Sequence, residues 1–186
     1  MKKINKKTTL TMKTILIALI VSSMTFAQTI QDSPLTKEET YKMYSNLIGG
    51  KWETKGKWQS GAEYHQEIVV EMELTKNIFT VKTRDYIDSK QFDNAQRNFG
   101  IRAWDKNEQK MKFWEFDVFG GITKGEIMID GQNIYHIYQY PDKKGNVLTL
   151  ADAWIYVDND TYTFKVCEFD NGTLGKVYMT STYKRK

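Results

Sequence analysis

Between residues 64 and 74 the chain alternates strictly. Tyr64, Gln66, Ile68, Val70, Met72 and Leu74 share one face of an extended backbone, and His65, Glu67, Glu71 and Glu73 the other. A period of two over that length predicts a half-buried strand. The same period opens at 51–58, where Trp52, Thr54, Gly56 and Trp58 alternate with charge, and returns at about 78–87, 97–104, 110–118, 122–129, 133–140, 147–157, 161–169 and 175–185. Turn-forming clusters separate these runs: Asp105-Lys106-Asn107-Glu108, Gly120-Gly121, Asp130-Gly131, Asp158-Asn159-Asp160 and Asp170-Asn171-Gly172 among them. Strands at a spacing of about ten to twelve residues, joined by short loops with no crossover helix, predict an all-β fold. The expected architecture is a single antiparallel up-and-down β-barrel of about ten strands, and a barrel of that size has an interior.

Only one stretch ahead of the strands keeps a helical period. Thr36 and Glu39 are spaced as a capping box, and Tyr41, Tyr44, Leu47 and Ile48 follow on one helical face before Gly49-Gly50. This short N-terminal helix is expected to plug or flank one end of the barrel.

Lysines face water, so their parity assigns the faces of each strand. Lys112 outside puts Met111, Phe113, Glu115 and Asp117 inside, and Lys124 outside puts Thr123, Gly125, Ile127 and Ile129 inside. By the same rule Tyr162, Phe164, Val166 and Glu168 point inward, as do Val177, Met179, Ser181, Tyr183 and Arg185. Taking Arg102 as outward places Phe99, Ile101 and Ala103 inside, with Arg97 beside them unless a bulge intervenes. Residues 147–157 hold no lysine, and faces within 133–157 stay unassigned.

The first 27 residues stand apart. Met12-Lys13-Thr14, the apolar run from Ile15 to Val21 and the small residues before Gln28 make the three parts of a secretory signal, with an apolar run too short to span a bilayer. Cleavage is expected after Ala27; Met12 can serve as the start codon. Residues 28–35 read as a linker and 36–186 as one barrel domain, exported to the periplasm or beyond. Five of the chain's 27 basic side chains and none of its 23 acidic ones lie in 1–27, leaving 22 against 23. That balance gives no basic face for nucleic acid. Cys167 is the lone cysteine, so no intramolecular disulfide forms, and no metal or cofactor is expected.

Gly50-Lys51-Trp52, opening the first strand after a short helix, resembles the Gly-X-Trp signature of lipocalins and their calycin relatives. The resemblance implies a basic residue on the last strand packed across the tryptophan, a role for which Arg185 is positioned. Gly100-Ile101-Arg102-Ala103-Trp104-Asp105 and Phe113-Trp114-Glu115-Phe116-Asp117 look like the lipocalin-like domains of uncharacterised secreted bacterial proteins. In pattern the likeness covers about residues 40–186. About ten strands instead of eight, and the missing disulfide, depart from true lipocalins. Ten strands is closer to the fatty-acid-binding branch, yet Trp58-Gln59-Ser60-Gly61-Ala62 is too short for that branch's helical lid.

No catalytic motif stands out. Glu115 and Asp117, two apart on one strand, are the candidates for acid–base work, since two enclosed carboxylates raise one another's pKa; a structural ion-pair network with Arg97 is the plainer reading. His136, amid Tyr135, Tyr138 and Tyr140, suits a proton shuttle, a haem ligand or, more commonly, a hydrogen-bonded strand histidine. His65 and Cys167 read as solvated and inert. Aromatic richness fits a pocket for an amphipathic molecule as well as cross-strand pairing. The expected function is a monomeric barrel binding a small apolar or amphipathic ligand through Arg97, Phe113, Glu115, Asp117, His136 and Tyr138. Its alternatives are an isomerase, lyase or hydrolase using an inward carboxylate, and a protein-interaction module using Trp104, Trp114 and Phe116.

Overall fold

The computed structural model describes residue 30 and residues 35–57, 61, 63–86, 95–142 and 144–186, without the side chains of 85 and 86. The expected leader, most of the expected linker and Trp58 lie outside these residues. Helix α1 (Lys37–Tyr44) runs into a short 3-10 turn, Ser45–Leu47. Its N-terminus is capped from both sides: the Thr36 hydroxyl accepts from the Glu39 N–H, and the Glu39 carboxylate accepts from the Thr36 N–H at 2.9 Å. Tyr41 and Tyr44 face the barrel, packing edge-on against Phe79 at 5.1 and 4.8 Å between ring centres. Tyr41 also donates its hydroxyl to the Asn77 carbonyl at 2.5 Å. The helix thus closes the barrel end that carries the turn at Asn77.

Ten strands follow: β1 (Lys51–Lys57), β2 (Glu63–Glu73), β3 (Ile78–Tyr86), β4 (Gln96–Asp105), β5 (Lys110–Asp117), β6 (Ile122–Asp130), β7 (Asn133–Pro141), β8 (Val147–Asp158), β9 (Thr161–Asp170) and β10 (Thr173–Arg185). Each pairs antiparallel with its neighbour in sequence, and β10 returns to β1, closing an up-and-down barrel. Closure leaves no free sheet edge. It also opposes residues 133 apart in sequence, Trp52 and Arg185. The Arg185 guanidinium lies 4.4 Å from the centre of the Trp52 ring. It donates to the carbonyls of Asn46 at 2.6 Å and of Ile48 and Gly49 at 2.7 Å. Trp52 is fully buried and donates its indole N–H to the Leu47 carbonyl at 2.8 Å. One cation therefore ties the last strand to the first and satisfies the carbonyls where the helix ends.

The face assignments hold on β5 up to Glu115 and on β6, where Met111, Phe113, Ile127 and Ile129 are buried. They fail at three places. On β4 the parity is inverted: Arg102 opposes buried Phe113 and is itself buried, so Asn98, Gly100, Arg102 and Trp104 point inward and Phe99, Ile101 and Ala103 outward. Arg97 falls in a register shift, because Thr83 pairs with Asn98 but Arg84 with Gln96. On β10 two further shifts turn Val177 outward while Met179 and Ser181 stay inside.

A second apolar cluster sits on the outside of β7, β8 and β9. Tyr135, Ile137, Ala151, Ala153 and Cys167 form it, and Ile30 covers it, its N–H donating to the Gly172 carbonyl at 2.5 Å. That cover explains why Cys167, outward by parity, is wholly buried.

Candidate ligand-binding cavity

Inside the barrel lies a cavity of about 270 Å³, near the small end of ligand-sized pockets. Its apolar wall comes from Leu47, Ile68, Val70, Val81, Trp154, Phe164 and Met179; Tyr64, His65, Gln66 and Thr83 border it from β2 and β3, and Tyr44, Asn98, Arg102, Glu115, His136 and Asp152 supply its remaining polar groups. Five structural elements supply those six polar side chains: α1, β4, β5, β7 and β8.

Arg102 is the centre of the polar end. It fits because Gly100, two residues back on the same face, has no Cβ; one there would overlap the guanidinium Nη1. Every nitrogen of the guanidinium donates to the protein. Nη2 pairs with Glu115 Oε1, Nε donates to the Tyr44 hydroxyl at 3.1 Å, and Nη1 reaches the Trp114 carbonyl at 3.4 Å and the Ile101 carbonyl at 3.5 Å. The Phe113 ring lies beneath it at 5.4 Å. Glu115 Oε2 accepts from the Asn98 amide at 2.9 Å, so both oxygens of that carboxylate are engaged.

Tyr44 passes the network on. Its oxygen accepts from Arg102, which leaves its proton to donate to His136 Nε2 at 3.3 Å. Burial, reinforced by the Arg102 charge, holds His136 well below the ordinary histidine value. It is therefore neutral, with its proton on Nδ1. Burial likewise raises Tyr44.

Asp152 is directly across from His136 in the β7–β8 register. Burial pushes its carboxyl up to about 7 from an ordinary 3.8; the Tyr138 bond and the Arg102 charge act downward and the Glu115 charge upward. Tyr138 donates to Asp152 Oδ1 at 3.0 Å and is the only described residue that hydrogen-bonds this carboxyl. Tyr138 is itself raised, first by burial and then by Asp152.

The residues read from the sequence are divided by the fold. Glu115 and His136 line the cavity, and Phe113 and Tyr138 support them from below and beside. Asp117 does not join them. It is exposed at the β5–β6 turn, where its Oδ1 accepts from the N–H groups of Phe119 at 2.8 Å and Gly121 at 2.9 Å, because the strand has already ended there. Arg97 does not line the cavity; its expected inward face is that of Phe99, Ile101 and Ala103, the parity that β4 inverts. Trp114 and Phe116 face outward, whereas Trp104 opposes buried Met111 on the inside. His65 lies 3.8 Å from Glu53 and also borders the cavity.

Alternation and lysine parity do not pick out Arg102, Asn98 or Asp152 as site residues. Two signals point to Arg102 and Asp152: a glycine two residues before an arginine on one strand face, and one acid in the otherwise apolar run Leu150-Ala151-Asp152-Ala153-Trp154-Ile155. Among the described residues no cluster of His, Cys, Asp and Glu could hold a metal ion, and no helix is long and apolar enough to cross a membrane.

No family model matches the chain, and no curated protein matches it. Among solved structures a redesigned beta barrel is similar at 14% identity and a TM-score of 0.37, over 76% of this chain and 93% of the other. A likeness at that level carries no functional argument.

Proposed function

We propose that the chain is an exported, calycin-like carrier that holds a small amphipathic molecule inside its barrel. The observation that carries this reading is the cavity itself. A closed barrel of this strand number can fill its interior with side chains, yet about 270 Å³ stays open between apolar walls and a polar end. A few polar groups fixed in an otherwise largely apolar chamber are what orienting an amphipathic ligand requires. The Gly50-Lys51-Trp52 start and the Trp52–Arg185 contact support the calycin likeness. The three-part pattern in 1–27 supports export.

The test is native mass spectrometry of protein purified from its own host under mild conditions. A co-purifying small molecule is expected, on a polypeptide beginning at Gln28. Protein that carries no such mass, and whose Trp154 fluorescence no amphiphile perturbs, overturns the carrier. A retained leader overturns export alone.

A second reading is acid–base catalysis. It is favoured by one observation: the Asp152 carboxyl borders the cavity and is held near neutrality, where proton transfer is efficient in both directions. Catalysis requires the bound molecule to leave chemically changed, so the masses of ligand supplied and ligand recovered distinguish the two readings.

A further inference from the structure

The charge and donor inventory of the polar end narrows the ligand class. This step rests on the carrier reading. A carboxylate ligand beside Arg102 would need free donors there, and those of Arg102 and Asn98 are occupied. All three nitrogens of Arg102 already donate to Glu115, Tyr44 or main-chain carbonyls, and the Asn98 amide donates to Glu115. An incoming carboxylate would have to displace Glu115 from a buried guanidinium, exchanging one anion for another and stranding the first.

Acceptors are another matter. Arg102 and Glu115 cancel, and His136 is neutral. Asp152 is left as a carboxylate with no cationic partner in contact and with a single donor, Tyr138, on one oxygen. The other groups that act on it add no free positive charge. On β4 there is Arg102, already paired; on β5 Glu115; on β7 His136 and Tyr138; and on α1 Tyr44. The adjoining β9 carries Glu168, bound by the Tyr178 hydroxyl, and on its outer face the Cys167 thiol. The cavity wall beside this carboxylate is aromatic. Trp154 packs with Phe164 at 5.4 Å and with Tyr183 at 4.9 Å, and all three line the space. Aromatic faces next to an unmatched carboxylate attract a cation and do nothing for an anion.

We propose that the ligand is a small amphipathic amine, its ammonium donating to the Asp152 carboxylate and its apolar body lying against Trp154, Phe164 and Tyr183. The geometry also ties binding to pH. The ammonium favours ionised Asp152, so affinity rises with pH until the carboxyl is fully ionised and falls as the proton returns.

Three probes with one tail and three heads test this: octylamine, octanol and octanoate, titrated by calorimetry into ligand-stripped mature protein. Octylamine at pH 8 is expected to bind at least tenfold more tightly than octanol, with octanoate weakest. Its affinity should fall several-fold between pH 8 and pH 6. Asp152→Asn, which keeps the shape and the Tyr138 contact, should remove both the preference and the pH dependence. Octanoate binding as well as octylamine overturns the amine assignment, as does octylamine affinity that survives Asp152→Asn; octanol binding in either case leaves the carrier standing. If none of the three binds at either pH, the carrier reading falls and takes this inference with it.

Discussion

Replacing Glu115 by leucine separates two accounts of the buried ion pair. The Arg102 side chain is 4% exposed and that of Glu115 28%, so the pair is lopsided: the cation is sealed in and the anion borders the cavity. Removing the anion strands a guanidinium that cannot shed its proton. Breaking a buried pair from one side costs about 3–5 kcal/mol. Arg102 keeps its bonds to Tyr44 and to the Ile101 and Trp114 carbonyls, which places Glu115→Leu at the lower end, about 3 kcal/mol. For a domain of this size that is a fall of roughly 6–12 °C in the unfolding midpoint.

Removing the cation is expected to cost less. In Arg102→Met the carboxylate still has the Asn98 amide and the cavity beside it, and it can take up a proton. The double variant Arg102→Met/Glu115→Leu should be more stable than Glu115→Leu alone, because neither charge is left stranded. Urea unfolding followed by tryptophan fluorescence reads all three. Two results refute the reasoning: Glu115→Leu costing under about 1 kcal/mol, or Arg102→Met costing more than Glu115→Leu.

Three further outcomes are expected. Trp52→Ala removes a fully buried indole and should cost about 3–5 kcal/mol in urea unfolding, whereas Arg185→Ala should cost less, since the carbonyls of Ile48 and Gly49 then reach water. Gly125→Ala should destabilise by about 1–3 kcal/mol, because its Cβ would overlap the main-chain carbonyl of Ile137, which cannot swing away as a side chain can; thermal unfolding checks it. The Asp152 carboxyl is raised to about 7 in the fold from an ordinary 3.8, so between those values the folded state holds a proton that the unfolded chain has lost. Its contribution to stability is thus greatest at low pH and lost as pH rises toward 7. Unfolding measured from pH 5 to pH 8 should show that downward component in the wild type and not in Asp152→Asn.

The barrel was legible because its signals are local and repeated. Alternation over a single strand predicts a half-buried face, and a turn cluster after each strand predicts that the next one folds back beside it. The order of the strands then needs no long-range information, and closure follows from their number. The Trp52–Arg185 contact joins the chain's two ends, but parity on the last strand and the Gly-X-Trp resemblance together reach it. Parity breaks where a bulge takes a residue out of phase, at Val177, since one extra residue reverses every face beyond it.

Most of the polar end was not legible, for a different reason. The rule that cations point outward is sound for lysine, a strongly hydrated point charge. It is weaker for arginine, whose planar and more weakly hydrated guanidinium can be buried when enough acceptors surround it. What buries Arg102 is spread across the chain: space at Gly100, counter-charge at Glu115, a hydroxyl at Tyr44 and a ring at Phe113. None of those residues is unusual in its own strand or helix. Asp152 poses the same difficulty with the opposite charge. A lone acid in an apolar strand reads as the solvent-facing member of the alternation, yet here its outward neighbours Ala151 and Ala153 are the buried ones, covered by Ile30. With both faces of β8 partly buried, alternation cannot say which side is inside. The register with the neighbouring strands, which sets Asp152 opposite His136 on β7 and Val166 on β9, places the carboxyl in the barrel.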